Sequence, residues 1–222
     1  MTVEIFSDVV CPWCYIGKRR FEAGLAMVVD DVDVDFDVTY HPFQLDPRAA
    51  PGEAAPVVDV YARKFGGPEQ AERIIRHVTE TAAGEGLELR LDRARRANTL
   101  LAHRLLWKAG RADSPVPQDV MKERLLKAYF TDGLHVGDPD VLADLAAEAG
   151  FDRDAIAAFL ASDEGAAEVH DALAAAHRDG ITAVPTYVLD GRWAIPGAQE
   201  PETFATVLRR MAAAAQADPA DD

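Results

Sequence analysis

Cysteine is scarce in this sequence: among 222 residues only Cys11 and Cys14 occur, two positions apart in a Cys-Pro-Trp-Cys motif. A disulfide that closes so small a ring removes little entropy from the unfolded chain, so it would be a poor structural staple. Two thiols held side by side can instead exchange one disulfide for another. A zinc site usually needs four ligands, and the six histidines show no finger-like spacing. We therefore expect a redox pair and no metal site.

Basic residues are also few relative to acidic ones. Lys and Arg number 23 and Asp and Glu number 38, which gives a net charge of −15 at pH 7. A chain of this charge is repelled by nucleic acids and by anionic lipid surfaces. We expect neither as a partner, and we interpret the acidity as a well-hydrated protein surface.

Long apolar runs are missing as well. No stretch approaches the roughly 20 apolar residues that span a bilayer. The first strand pattern begins at residue 3 and the cysteine motif at residue 11, which leaves no room for a signal peptide ahead of them. These features predict a cytoplasmic protein without a membrane partner, and nothing in the sequence specifies an oligomeric state.

The first 45 residues read as a βαβ unit. Residues 3–8 have strand character, and a helix is expected from Pro12, a residue suited to a first helical turn, to about residue 29. Residues 34–43 alternate: Val34, Phe36 and Val38 point to one side, while Asp33, Asp35 and Asp37 point to the other. That alternation predicts a second strand with one wet face.

A long helical block and a second β segment complete the chain. After a proline- and alanine-rich loop at 46–56, apolar residues recur at helical spacing, and Asp138, Asp152 and Ser162 are expected N-caps. A strand at 185–189, an Asp190-Gly191 turn and a strand at 192–195 predict a hairpin. A final helix starts at residue 201, and the acidic tail after residue 216 is expected to fray.

This order predicts an α/β protein with a thioredoxin-like βαβ–ββα fold and a large inserted all-helical domain. We assign residues 1–48 and 178–222 to a discontinuous thioredoxin-like domain and residues 49–177 to the helical insertion.

Several motifs resemble the DsbA family of thiol–disulfide oxidoreductases, in which a helical domain is inserted into a thioredoxin fold. The similarity is closer to its FrnE-type cytoplasmic subgroup, and it extends from residue 3 to about residue 211. The matching stretches are DVVCPWCYIGK at 8–18, HPFQLDP at 41–47, NTLLAH at 98–103, YF at 129–130, GITAVPT at 180–186 and IPGAQ at 195–199.

Within this frame the two cysteines have separate expected roles. Cys11 would lie at the N-terminus of a helix, where free N–H groups and the helix dipole favour a thiolate, so it is the expected nucleophile. Cys14, one turn further on and more buried, would resolve the mixed disulfide. Pro12 and Trp13 would help to set how oxidising the pair is, and Trp13 either contacts substrate or packs on a neighbouring side chain. Asp8, three residues before Cys11, would raise the pKa of the thiol if it lay close.

The resemblance also implies a substrate-binding loop at Val184-Pro185. In the family this X–Pro bond is cis, and the exposed backbone at Val184 would pair with an extended substrate beside Cys11. Asn98, Thr99 and His103 match the subgroup pattern too: they either line the cleft, or serve as a helix cap and a surface histidine.

Three functions remain open. The first is a thiol–disulfide oxidoreductase acting on protein or small-molecule disulfides, with no cofactor beyond its own cysteines. The second is a glutathione-dependent transferase or isomerase, of the kappa-class or hydroxychromene carboxylate isomerase type. Those enzymes carry serine where this chain has Cys11, and the presence of Cys14 argues against this function. The third is a non-catalytic, redox-sensitive binding module. Glutathione is a possible substrate.

Overall fold

The computed structural model describes residues 1–32 and 34–217, and the thioredoxin-like fold with inserted helices is confirmed. The chain begins with β1 (Thr2–Ser7), α1 (Pro12–Ala26) and β2 (Asp37–Pro42). The second strand is shorter than the predicted 34–43, because its parallel partner β1 begins opposite Asp37 and offers no earlier pairing. Asp33, expected on the wet face of that strand, lies outside the described residues.

Seven helices and one π-helical turn follow. They are α2 (Val57–Phe65), α3 (Pro68–Gly84), α4 (Leu100–Ala109), α5 (Gln118–Lys127), the π-helical turn Ala128–Asp132, α6 (Pro139–Ala149), α7 (Arg153–Ala161) and α8 (Ala166–Arg178). Asp138 and Asp152 accept hydrogen bonds from first-turn amides, which confirms both predicted N-caps. The predicted cap at Ser162 is wrong. Its hydroxyl donates to the Phe159 carbonyl at 2.7 Å and so closes the end of α7.

The chain returns to the sheet through β3 (Thr186–Leu189) and β4 (Trp193–Pro196), and then ends in α9 (Pro201–Ala217). The predicted hairpin is confirmed, and its two turn residues, Asp190 and Gly191, have φ angles of 47° and 63°. The strand order is β2-β1-β3-β4, with β1 and β2 parallel and the other two pairs antiparallel. Of the tail expected to fray, Ala217 still belongs to α9, and residues 218–222 lie outside the described part.

The two faces of the sheet are covered by different helices. On one face Ile5 and Tyr187 pack with Phe21 of α1 and Phe204 of α9. On the opposite face Phe6 packs with Ala176 of α8. The sheet therefore has helices on both sides. The C-terminal end of β1 leads directly into the cysteine motif.

The helical block has its own core, which reaches into the first part of the chain. Val9, Tyr15 and Ile16 belong to the same cluster of buried residues as the side chains of α4, α5 and α6. The division at residues 48 and 178 stays a prediction. Among the described residues no helix is long and apolar enough to cross a bilayer.

Candidate active site

The two cysteines lie where β1 turns into α1. The strand ends at Ser7, and Cys11 then serves as the N-cap of α1 with an extended backbone, followed by Pro12 at the first helical position. The Cys14 amide donates to the Cys11 carbonyl at 3.0 Å. A missing N–H at Pro12 costs nothing there, because first-turn amides have no partner within the helix. The local sequence therefore places the two cysteines one turn apart at a helix N-terminus.

Both cysteines are buried. Cys11 and Cys14 have the same exposed fraction, 3% of each residue. The expectation that Cys14 is the more buried of the two is therefore wrong. The pKa of the Cys14 thiol is raised well above its ordinary value. Burial is the largest cause, and the hydrogen bond between Cys14 and Cys11 and the charge of Cys11 add to it. Cys14 is thus held in its protonated form until something removes the proton.

The loop before β3 faces Cys11. The Cys11 thiol donates to the Val184 carbonyl with Sγ and O 3.6 Å apart, and the Val184–Pro185 peptide bond is cis. The Pro185 carbonyl in turn accepts a hydrogen bond of 2.8 Å from the Gly197 amide. Residues 173 positions apart in the chain are thereby brought to one point.

Apolar side chains lie in and near the motif, beside a small cavity that Asp46, Lys64 and Arg96 also line. Trp13 is 37% exposed, and its ring lies 5.9 Å from that of His77 on α3. Leu45 and Phe65 are 40% and 38% exposed. A cavity of about 80 Å³ is lined by Val10 and Leu45, together with Tyr61 and Tyr129. Burial, followed by the nearby Cys11, raises the pKa of Tyr61 to about 12.

Asp8 and His103 form a buried polar contact beneath the motif. Asp8 is fully buried, its Oδ2 accepts from the Leu45 amide at 2.8 Å, and its Oδ1 lies 3.3 Å from His103 Nε2. The same nitrogen lies 3.0 Å from the Phe43 carbonyl. His103 is therefore not a surface histidine; it connects α4 to Asp8, just before the motif, and to Phe43, just after β2.

The other two subgroup residues connect the start of α4 to the segment that follows β2. The Asn98 side chain accepts from the Leu100 amide at 3.0 Å and donates to the Ala49 carbonyl at 2.8 Å. Thr99 is buried, and its hydroxyl lies 3.4 Å from the Gln44 side-chain nitrogen. The N-cap position of α4 is occupied by Thr99, and the Asn98 side chain, one residue earlier, accepts from the first amide of the helix.

Lys122 on α5 escaped the sequence reasoning. It is 1% exposed, its Nζ has no hydrogen-bond partner in the described structure, and this atom lies 5.5 Å from the centre of the Tyr40 ring. Burial lowers its pKa, and the neighbouring Cys14 and Asp8 oppose that shift. The signal was available, because Lys122 precedes the buried Leu126 by one helical turn, on the apolar face of α5.

No group of three His, Cys, Asp or Glu side chains in the described residues is arranged to hold a metal ion. The reactive groups described at the site are the two thiols and the buried charged side chains around them.

Comparison with known proteins supports this chemistry. A family model described as a DSBA-like thioredoxin domain matches residues 2–209. A probable DsbA oxidoreductase from Streptomyces coelicolor is 35% identical with a TM-score of 0.85, and the match covers 95% of this chain and 89% of that one.

Two more distant structures share the fold. The cytosolic disulfide reductase DsbM from Pseudomonas aeruginosa, solved with GSH, is 19% identical with a TM-score of 0.64 and covers 95% of this chain and 98% of its own. A 2-hydroxychromene-2-carboxylate isomerase is 16% identical with a TM-score of 0.70, and the match covers 100% of both chains. The FrnE-type subgroup stays a prediction. The match over residues 2–209 shows that this chain belongs to the DsbA-like thioredoxin-domain family of disulfide oxidoreductases.

Proposed function

We propose that the protein is a thiol–disulfide oxidoreductase in which Cys11 forms the mixed disulfide and Cys14 resolves it. The observation that carries this proposal is the position of the Cys11 thiol, at the N-cap of α1 and 3.6 Å from the Val184 carbonyl. The free N–H groups of the first helical turn favour negative charge on the sulfur at that position. Cys14 has the raised pKa of a buried thiol and is suited to the later step.

The reaction passes two electrons between sulfur atoms and uses no bound cofactor. The Cys11 thiolate attacks one sulfur of the substrate disulfide, and the other substrate sulfur leaves as a thiolate. Cys14 loses its proton and attacks Cys11 Sγ, which forms the Cys11–Cys14 disulfide and releases the second substrate sulfur. Two molecules of an external thiol, for which glutathione is a candidate, then reduce the pair again and leave joined to each other as a disulfide.

We assign substrate binding to Val184, Pro185, Pro12 and Trp13. The Val184 backbone lies beside the reacting sulfur, while Pro12 and Pro185 are buried and shape the two sides of the site. Trp13 is exposed next to the motif, so it can cover the apolar side chain of a bound substrate.

Two cysteine variants test the proposal. Cys11→Ser is expected to abolish turnover of insulin or of a small-molecule disulfide, because the remaining thiol, Cys14, has a raised pKa and does not occupy the N-cap position beside Val184. Cys14→Ser is expected to accumulate a mixed disulfide, visible as an added mass that dithiothreitol removes. Thermal unfolding of both variants provides the folding control. Full turnover by Cys11→Ser would overturn the proposal.

A glutathione-dependent isomerase or transferase is the second candidate, favoured by the shared fold of the 2-hydroxychromene-2-carboxylate isomerase. Its chemistry does not need Cys14. A tight glutathione complex, together with turnover that survives Cys14→Ser, would support this function over disulfide exchange.

A further inference from the structure

The amine of Lys122 is a buried polar group without a hydrogen-bond partner in an otherwise well-packed interface. The residue is 1% exposed and its Nζ lacks a hydrogen-bond partner in the described structure, while Met121, Leu125 and Leu126 beside it are fully buried. A buried amine without a hydrogen-bond partner is costly, so an apolar residue would be more stable at this position. A catalytic role is one of the recognised explanations for such a group.

The contacts between α5 and α1 place this amine at the cysteine end of α1. Asp119 accepts from Lys18 Nζ at 3.0 Å, and Glu123 accepts from the Tyr15 hydroxyl at 2.8 Å. Lys122 lies one turn after Asp119 on α5. Cys14 lies one turn before Lys18 on α1, so the two helices bring Lys122 and Cys14 to the same level.

The sheet closes the other side of this site. Lys122 Nζ lies over the Tyr40 ring at 5.5 Å, and Tyr40 pairs with Ile5, two residues before the end of β1. The amine is thus confined between the first turn of α1 and the ends of β1 and β2.

The remaining charges near Lys122 are already engaged. Lys18 forms ion pairs with Glu22, Asp119 and Glu123, so its charge is neutralised. The Asp8 carboxylate accepts from the Leu45 amide and contacts His103. Burial lowers the pKa of Lys122. The charges of Cys14, Asp8 and Cys11 oppose this shift, with Cys14 the strongest, and the charge of Lys18 adds to it.

We propose that Lys122 is the base that takes the proton from Cys14 when Cys14 attacks the mixed disulfide. The inserted helical block thereby supplies a working group to the thioredoxin core. The Cys14 S–H proton moves to neutral Nζ, the Cys14–Cys11 bond forms, and the bond between Cys11 and the substrate sulfur breaks. The substrate sulfur leaves with the electron pair as a thiolate. In the opposite direction the ammonium returns the proton to Cys14.

The assignment rests on the proposed disulfide exchange, and it is tested by separating the two steps of that exchange. In a Cys14→Ser background, Lys122→Met is expected to leave the rate of Cys11 attack on a small-molecule disulfide within about twofold. With Cys14 present, Lys122→Met is expected to slow release of the second thiol about 100-fold at pH 7, the scale of a lost general base. The pH inflection of that release should move upward, because Cys14 then has to ionise without help.

Lys18→Met is the matched control. Lys18 is 3% exposed in the same interface but fully ion-paired, so its replacement is expected to lower stability and to move the pH inflection of thiol release far less than Lys122→Met does. Lys122→Met is expected to raise the midpoint of thermal unfolding, because it removes an unpartnered buried amine without breaking a hydrogen bond.

Equal rates and pH inflections for thiol release in wild type and Lys122→Met would overturn the assignment. So would loss of folding in both Lys122→Met and Lys122→Gln, since that would show a structural role. Neither result touches the proposed function, which instead fails if Cys11→Ser retains full turnover.

Discussion

Replacing Gly17 by alanine is predicted to slow disulfide exchange at least about tenfold, while it lowers the free energy of unfolding by only about 1 kcal/mol. Gly17 lies on α1 one turn after Cys14 and faces the loop that carries Val184. A Cβ at Gly17 would lie 2.6 Å from the Tyr187 hydroxyl and 3.0 Å from Pro185 Cγ. Tyr187 cannot yield easily, because it is 1% exposed and its ring contacts that of Phe204, with centroids 4.7 Å apart. The substitution must therefore shift α1 away from the Pro185 loop.

Two opposing magnitudes set the stability effect. Alanine in a helix interior is worth about 1 kcal/mol over glycine. Overpacking a well-filled core costs about 1–3 kcal/mol. The expected net loss in the free energy of unfolding is thus about 1 kcal/mol. A shift of the reacting groups by about 1 Å costs on the order of 100-fold in rate, so we expect kcat/KM to fall between tenfold and 100-fold.

The measurement combines urea unfolding with kcat/KM on a disulfide substrate, and two other glycines serve as controls. A Cβ at Gly24 would lie 2.6 Å from the Pro201 carbonyl oxygen, which is backbone and cannot rotate away. Gly24→Ala should cost about 2 kcal/mol, an overpacking cost of about 3 kcal/mol less about 1 kcal/mol of helix propensity, and leave turnover of the folded protein within threefold. A Cβ at Gly84 would meet no atom within 4 Å, so Gly84→Ala should be neutral or slightly stabilising.

A Gly17→Ala protein that is more stable than wild type and turns over at the wild-type rate would refute this reasoning. It would mean that α1 does not approach Tyr187 and Pro185 as closely as the structure shows.

Two further predictions concern Glu123 and Trp13. Burial raises the pKa of Glu123, but hydrogen bonds from Arg19 and Tyr15 outweigh it and leave the pKa lowered. Because the folded-state pKa lies below the unfolded value of about 4.3, this carboxylate stabilises the fold above that pH, and its contribution is lost as the pH falls through the folded-state pKa. Glu123→Gln should therefore cost about 2 kcal/mol in urea unfolding at pH 7, with the difference shrinking in acid; an equal difference throughout would contradict it. Trp13→Ala should lower kcat/KM for a peptide disulfide about tenfold and for a small disulfide less than threefold, while Trp193→Ala, a 60% exposed tryptophan on β4, should change neither. Equal effects of the two tryptophan variants would argue against a substrate contact at Trp13.

Local patterns predicted the frame of the protein well. The hairpin at Asp190-Gly191 and the caps at Asp138 and Asp152 depend on residues within a few positions of one another, and all three are present. Ser162 shows where a local pattern is ambiguous. A serine between two helices can cap the C-terminus of the first or the N-terminus of the second. Here the Ser162 hydroxyl donates to the Phe159 carbonyl, so it caps the C-terminus of α7.

Contacts between distant segments were beyond local patterns. Burial of Cys11 depends on the loop 173 residues away, and burial of His103 depends on Asp8 and Phe43. A residue type and its spacing predict which face of an element is buried, but they do not specify which element will cover that face.

The sequence by itself determined that two thiols lie one turn apart at the start of a helix, because Pro12 and the spacing of the cysteines act within a single turn. It also determined the order of strands and helices that makes a thioredoxin-like fold. Only the tertiary structure placed the Val184 carbonyl beside the Cys11 thiol. It alone also buried the Lys122 amine near Cys14, without a hydrogen-bond partner among the described residues. The physical reason is that these positions depend on how α5 packs against α1 and how β3 pairs with β1. Which elements pack together cannot be inferred from any single position of the chain.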